Sequence, residues 1–521
     1  MPGMQNLAKA AGFLMLVNLG SRLLGFLRET LIAGYFGQQS ATDAYNIAFV
    51  LPDLLYWLLM GGVLSSALIP VFSEYIAKGQ EEEGWRVVSS TMNIILLALS
   101  FCTLLGLILA PQFMALEAPG LSEDYQSLAV LLTRIILIQP LILAFSGFAM
   151  GILNSYKIFW PSALGTLLYN AGIILVGPLL VSGWHMGIEG FAFGVVFGAV
   201  ANIAVQIPAL RRLGMRYYPV IDWRHPGVRR ILVLAIPIIL GYAINQIPVA
   251  IYSNLASLLP PGSVSAVNRA YRLFQMPIGI FALAIGVAVF PTLTEQVALK
   301  RLRELKATIS LAVRMVIYIT LPVSVGMIIL RYPLIRLLFE HGAFTAQNTA
   351  DTTVPLIFFC LGITAQSVTN ILPRVFYAFN DTWTPVILGI LSMIVNVLAM
   401  ILFVKPLAGG GLALATSLAG AVNMLLLFAV MRRRMRRIGG GQILKTTGQT
   451  LIASLCMGVA VWLSQYGVAR MLGTEGVASL ASLVLGAGVG ALVFAGLSKM
   501  MRMEEFAQTM GLVLRRLGKN G

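Results

Sequence analysis

Two arginines, Arg22 and Arg28, lie inside a stretch of the sequence, residues 7–36, that is otherwise almost entirely apolar or small. A stretch of this length is long enough to cross a membrane as a helix, and an arginine near the centre of such a helix costs about 2.5–3.5 kcal/mol to insert. Such residues face a cavity or a partner and mark a functional site. Because a guanidinium group donates paired hydrogen bonds to phosphate or carboxylate oxygens, the expected partner is an anionic ligand.

The spacing of the two arginines determines whether they can share one ligand. Six residues of ideal helix separate the side chains by roughly 120°, so a kink is needed for both to face one cavity. Gly25 lies between them and would permit that kink. The alternative is that Arg28 pairs with Glu29 or extends to the membrane surface.

Further charged residues occur in or beside other apolar segments. Arg272 near the start of a later segment would bring a third guanidinium to the same cavity from the second half of the chain. Asp43 is either a helix N-cap or part of a gate, and Asp53 could offset the positive charge of the cavity. Asp381 either caps a helix, which we favour, or binds a coupling cation.

The composition indicates the class of protein. Of the 521 residues, 58% are hydrophobic and 11% are charged, and the mean hydropathy is +0.87. Apolar windows of about 20 residues recur throughout, which predicts an all-α polytopic membrane protein rather than a β-barrel. The formal net charge of +16 is carried by short loops between these windows, a pattern of membrane topology that argues against nucleic-acid binding.

The sequence contains no motif that indicates an enzymatic reaction. The three cysteines and three histidines match no metal-ligand spacing and no disulfide framework. There is no P-loop and no grouping of nucleophile, base and orienting residue, so a transporter without a metal or cofactor is expected rather than an enzyme.

We predict about fourteen spans of the membrane. Loops rich in Lys and Arg follow every second span, so the positive-inside rule places these loops and both termini in the cytoplasm. The predicted spans are residues 7–36, 41–74, 87–115, 127–153, 160–183, 188–211, 229–256, 266–298, 307–331, 350–379, 384–404, 409–431, 445–472 and 477–500.

The chain contains an internal repeat. Ala44-Tyr45 corresponds to Ala270-Tyr271, Trp160-Pro161 to Trp383-Thr384-Pro385, and Gly190-Phe191-Ala192 to Gly411-Leu412-Ala413, at offsets of 226, 223 and 221 by subtraction. Since six spans separate the copies, the halves are parallel repeats, which typically enclose a central cavity. The predicted organisation is an N-terminal lobe (1–212), a cytoplasmic linker (213–228), a C-terminal lobe (229–431), a basic loop (432–444), two further spans (445–500) and a cytoplasmic tail (501–521).

Four motifs resemble those of the bacterial MurJ (MviN) family of lipid II flippases, within the multidrug/oligosaccharidyl-lipid/polysaccharide exporter superfamily. The motifs are Ser21 to Glu29, Ala41-Thr42-Asp43-Ala44, Leu51-Pro52-Asp53-Leu54-Leu55, and Tyr271-Arg272-Leu273 followed by Pro277-Ile278-Gly279. The resemblance covers essentially the whole chain. It departs from the family at Tyr56-Trp57, where some members have an arginine, at Glu29, where others have aspartate, and at Gln275, where some have glutamate.

The resemblance implies a multi-pass protein of the bacterial cytoplasmic (inner) membrane that moves lipid II to the outer leaflet for peptidoglycan synthesis. It implies that Arg22, Arg28 and Arg272 bind the pyrophosphate, that Asp43 is a functional acidic position, and that residues 445–500 form a groove for the lipid tail. The expected partners are lipid II and the bilayer, with cell-wall synthesis proteins as further candidates.

The expected mechanism is alternating access, coupled to the membrane potential or to a sodium or proton gradient. Three alternatives stay open at this point: an exporter of another polyprenyl-linked glycan, a drug/cation antiporter, and a scaffold for cell-wall enzymes. The antiporter would need an acidic cavity, whereas the predicted one is basic.

Overall fold

The computed structural model describes residues 2–60, 67–435, 439–473 and 476–517, and every regular element in these residues is helical. They form two compact units, Met1–Ser265 and Ala266–Gly521. Among the residues that the structure describes, eleven helical segments are long and apolar enough to cross a membrane, which confirms the all-α polytopic class; the exact count of fourteen stays a prediction. The first and seventh predicted spans correspond to helices of 35 and 32 residues, which are also long enough to cross.

The first unit contains eleven helices among its described residues. Its core is built from buried apolar side chains of the helices named here as α4, α5, α7, α10 and α11. The helices are α1 (Pro2–Phe36), α2 (Ser40–Ile47), α3 (Val50–Met60), α4 (Ile69–Ala77), α5 (Glu81–Glu117), α6 (Glu123–Ile136), α7 (Ile138–Ser155), α8 (Trp160–Gly183), α9 (Glu189–Ala204), α10 (Ile207–Arg212) and α11 (Pro226–Ser257).

The second unit begins within α12 and has cores around α14, α17 and α19 and around α20 and α21. A π-helical turn, Ile278–Ala282, interrupts its first long helix just after Pro277. The helices are α12 (Ser263–Pro277), α13 (Leu283–Ala298), α14 (Leu302–Ile329), α15 (Arg331–Phe339), α16 (Ala346–Thr369), α17 (Leu372–Ala378), α18 (Trp383–Leu407), α19 (Gly409–Met435), α20 (Gly440–Leu472), α21 (Val477–Met500) and α22 (Glu504–Leu517).

Small residues allow neighbouring helices to approach closely, as is typical of membrane bundles. A Cβ atom added at Gly172 of α8 would lie 2.7 Å from the Cα of Gly198 on α9, and one added at Gly177 would lie 2.6 Å from the ring of Phe191. These glycines therefore set the distance between α8 and α9, and α8 in turn packs against α1.

Helix α11 lies in the first unit, packed against α3 and α5. The boundary between the compact units follows Ser265, and the division into lobes at 1–212 and 229–431 stays a prediction. The segment before α11 also belongs to the first unit, where it is hydrogen-bonded along α5. The backbone N–H groups of Tyr218 and Asp222 donate to the hydroxyls of Ser89 and Ser90 at 3.2 and 2.7 Å.

Candidate functional site

Arg28 is held in place by two side chains, one on its own helix and one on α8. Its guanidinium donates to Glu29 Oε1 at 3.1 Å and to Asn170 Oδ1 at 3.4 Å. The pairing with Glu29 is therefore present, and it leaves the arginine mostly buried, with 14% of its side chain exposed. The Arg28 Nε is buried without an acceptor among the described residues. The two hydrogen bonds therefore hold the guanidinium in position, and its Nε–H can still donate to a further acceptor.

Asn170 is the residue of this cluster that sequence reasoning missed. Its amide Nδ2 donates to the hydroxyl and the carbonyl of Ser21 at 3.2 and 3.3 Å while Oδ1 accepts from Arg28. A Cβ atom on Gly25 would lie 3.7 Å from that same Oδ1, and α1 runs as one helix through this glycine. The available signal was an asparagine in the middle of an apolar span, where polar side chains hydrogen-bond across helices.

Arg22 has a different environment from Arg28. It is exposed and makes no ion pair with any residue that the structure describes. Its charge is therefore available to a ligand, whereas that of Arg28 is partly offset by Glu29. The two arginines are carried by one helix six residues apart, as the sequence requires.

Asp43 is buried, with 2% of its surface exposed, and binds the N-terminus of α12. Its Oδ2 accepts from the backbone N–H of Gly262 at 2.7 Å, and its Oδ1 accepts from the N–H and hydroxyl of Ser265 at 2.8 and 2.7 Å. The N-cap of its own helix is Gln39. The carboxylate thus satisfies donors that the start of a helix leaves free, where the helix dipole also favours negative charge.

The remaining predicted positions lie elsewhere. Asp53 is half-buried in the first turn of α3, directly after Pro52. Arg272 is half-buried on α12, less than two turns before the π-helical turn. Because Arg272 belongs to the second unit, its convergence with the arginines of α1 stays a prediction.

Asp381 lies in the turn between α17 and α18 and has a cationic partner. It accepts from the backbone N–H and the hydroxyl of Thr384 at 3.0 and 2.7 Å, and from the guanidinium of Arg434 on α19. These hydrogen bonds from Thr384, followed by the Arg434 charge, lower the pKa of Asp381 to about 2. Arg434 thus already contacts the carboxylate at which a coupling cation was considered. The described residues contain no group of three or more His, Cys, Asp or Glu side chains that could hold a metal ion.

Helices α20 and α21 correspond to the predicted lipid-tail spans. They pack together through Gly490, where an added Cβ would lie 3.0 Å from Val461. Large apolar side chains on both helices are exposed, including Leu455, Val459 and Leu492. In a membrane such faces contact hydrocarbon, so these helices offer an apolar surface to lipid.

Comparison with known proteins identifies relatives along most of the chain. A family model described as lipid II flippase MurJ matches residues 32–479. The "Lipid II flippase MurJ" of Burkholderia cenocepacia is 30% identical over 434 residues, covering 82% of this chain and 83% of the relative. The "Probable lipid II flippase MurJ" of Rhizobium meliloti is 31% identical over 460 residues, covering 86% of this chain and 84% of the relative.

Solved structures give the same result for the fold. A structure titled "Lipid II flippase MurJ, inward closed conformation" aligns with a TM-score of 0.79 at 26% identity, covering 94% of this chain and 98% of its own. An inward-facing multidrug resistance transporter of the MATE family aligns with a TM-score of 0.67 at 16% identity, covering 80% of this chain and 95% of its own. At that identity the second likeness concerns the fold alone.

Proposed function

The chain belongs to the MurJ family of lipid II flippases, and from this premise we propose that it moves lipid II across the membrane by binding the pyrophosphate at Arg22, Arg28 and Arg272. It is a transporter and a multi-pass membrane protein. The observation that carries the proposed site is the pre-positioned guanidinium of Arg28, held between Glu29 and Asn170. We further propose a location in the bacterial inner membrane with both termini in the cytoplasm.

The physical difficulty of this transport is the headgroup. The polyprenyl tail gains about 0.8 kcal/mol per buried CH₂ and therefore stays in apolar surroundings throughout. An isolated charge in a medium of low dielectric costs tens of kcal/mol, so the pyrophosphate and sugars need a polar, cationic path. Guanidinium groups on the path lower that barrier because each forms charge-assisted hydrogen bonds with phosphate oxygens.

We infer that transport proceeds by alternating access and that the contacts of Asp43 are among those that must break. Asp43 joins α2 to the start of α12 through three hydrogen bonds. A carboxylate bound to backbone N–H groups is a strong but reversible contact, since water can replace each donor when the site opens. The membrane potential or an ion gradient would supply the bias in direction.

The test is binding of lipid II to the purified chain by native mass spectrometry, with undecaprenyl phosphate as competitor. We expect Arg22→Ala, Arg28→Ala and Arg272→Ala each to weaken binding about tenfold or more, as loss of one charge-assisted contact predicts. Arg432→Ala is the matched control, because Arg432 is an exposed arginine at the end of α19.

Each outcome has a defined meaning. Weaker binding in the three variants but not in the control supports the arginine site and justifies translocation assays in vesicles. Equal binding in all four folded variants would remove the arginine mechanism and leave only the family assignment. Equal affinity for undecaprenyl phosphate would place recognition outside the sugars and peptide.

A further inference from the structure

A cavity of about 570 Å³ lies within the first unit, between α5, α7 and the helices α9 and α10. Its inner wall consists of buried apolar side chains, among them Met92, Phe148 and Ile152. Its outer edge carries Phe145 and Ile207, which are 46% and 38% exposed. Since exposed apolar side chains of a membrane bundle contact lipid, the cavity is open to hydrocarbon on this side.

One end of the cavity is polar, and its neutral groups already have partners. The hydroxyl of Tyr217 donates to Asn93 Oδ1 at 3.0 Å, and Asn93 Nδ2 donates to the carbonyls of Tyr218 and Val220 at 3.2 and 3.0 Å. These bonds fix the linker against α5. The remaining polar group of the lining is the guanidinium of Arg211 at the end of α10.

The charge of Arg211 is not offset by the carboxylates at this end of the unit. Arg211 is exposed and forms no ion pair with any side chain that the structure describes. The nearby acids have other partners: Glu74 pairs with Lys78 and Arg230, Glu82 with Arg86, and Glu83 with His225, while Asp222 accepts from the backbone of Arg224 and His225.

From this arrangement we propose that the cavity binds an anionic phospholipid, with one acyl chain inside and the phosphate on Arg211. An apolar cavity open to hydrocarbon loses packing contacts when it stands empty, and an acyl chain restores them. The second chain stays in the bilayer beside Phe145 and Ile207. A free phosphate ion would find one arginine and an apolar wall, so the chain is needed for stable binding. The topology predicted from the arginine-rich loops makes this a lipid of the cytoplasmic leaflet.

This site belongs to the first unit alone and does not depend on the proposed lipid II site. The ligand has a phosphodiester headgroup and acyl chains, and it binds at the end of α10. None of the arginines assigned to lipid II lies on that helix. Failure of either proposal therefore leaves the other intact, because the two are tested with different lipids and different variants.

The experiment is native mass spectrometry of the full chain, delipidated in detergent and titrated with phosphatidylglycerol or with phosphatidylcholine of the same acyl chains. We expect phosphatidylglycerol to bind more tightly, and Arg211→Gln to weaken its binding about tenfold, the effect of losing one charge-assisted contact. Arg212→Gln is the matched control, because Arg212 is adjacent and exposed but does not line the cavity. Ala149→Phe places a ring in the cavity and should remove one bound lipid.

The proposal is overturned if Arg211→Gln and Arg212→Gln behave alike, or if the two lipids bind equally to the unchanged chain. Glycerol phosphate, which has the headgroup charge without acyl chains, serves as competitor; effective competition would show an anion site without a lipid. The thermal unfolding of each variant without added lipid checks folding, and Arg211→Gln decides the matter should Ala149→Phe fail to fold.

Discussion

Asp43 on α2 accepts the backbone N–H of Gly262 at 2.7 Å, so a side chain from early in the chain fixes the turn that precedes α12. The same carboxylate binds Ser265, and charge-assisted bonds of this kind are worth about 1.5–3 kcal/mol each. Local opening of the turn should therefore depend on Asp43. We expect Asp43→Ala to raise the hydrogen-exchange rates of the Gly262 and Ser265 amides at least tenfold. Asp124→Ala, at an exposed position on α6, should leave them unchanged; equal effects would contradict the assignment.

A glycine is required at position 262 by the backbone conformation there and by the atoms that surround it. Its φ of +88° is a conformation that residues with a side chain rarely adopt, and an added Cβ would lie 2.6 Å from the carbonyl oxygen of Gln38. Gly79 has a φ of +70° with nothing within 4 Å of the added Cβ. We predict that Gly79→Ala costs about 1 kcal/mol and Gly262→Ala about 2–3 kcal/mol. Thermal unfolding in detergent compares the two variants. Equal decreases in Tm would mean that Gln38 moves away from the added Cβ at little cost.

Asn170 should act on the ligand through Arg28. Replacing it by alanine removes the acceptor that orients the guanidinium and leaves Ser21 without its amide partner. We expect Asn170→Ala to weaken lipid II binding about three- to tenfold in the native chain, but to have little further effect when Arg28 is already alanine, since coupled residues are not additive. Native mass spectrometry of the unchanged chain, the two single variants and the double variant measures this. Additive losses would show that Asn170 acts independently of Arg28.

The tail helix α22 is anchored by a buried ion pair. Arg314 on α14 donates to Glu505 at 2.7 Å and to Glu504 at 2.9 Å. The Glu505 side chain is 1% exposed and that of Glu504 is 67% exposed. We predict that Glu505→Gln destabilises the second unit by about 1–3 kcal/mol, because Arg314 loses its buried charged partner and keeps only the exposed Glu504. Glu504→Gln should cost less than about 1 kcal/mol. Thermal unfolding distinguishes the two, and equal effects would contradict the role of burial.

The Asp381–Thr384–Arg434 contact predicts a dependence on acid. The pKa of Asp381 is lowered to about 2, below the value of about 3.9 in an unfolded chain. A carboxylate with a lowered pKa stabilises the folded chain above the unfolded value and loses this effect as the pH falls through the folded value. Wild type should therefore be more stable than Asp381→Asn by a constant amount from neutral pH to about pH 5, and the difference should shrink below about pH 4. A constant difference down to pH 2 would contradict the prediction.

Much of the fold could be predicted from the composition. The features that could not be predicted share one cause. Length and apolarity were enough for the helical membrane class, and Arg22 and Arg28 stood out because charge is costly at membrane depth. The partnership of Asn170 with Arg28 joins residues 142 positions apart, and hydrophobic periodicity carries no information about which helices become neighbours. The same holds for α11, which packs against α3 and α5 in the first unit. The contact of Asp43 could not be predicted for a related reason. The sequence suggests a cap for its own helix, whereas the carboxylate caps α12, far along the chain.

The burial of Glu505 affects how shortened forms of this protein should be interpreted. A chain ending before α22 lacks more than a tail: it leaves Arg314 and Thr446 without the carboxylate to which both donate. Loss of transport in such a truncation would report damage to α14 and α20 rather than a signalling or recruitment role for the last residues. Fusion partners and affinity tags are best attached after the full C-terminus, where the anchor remains intact.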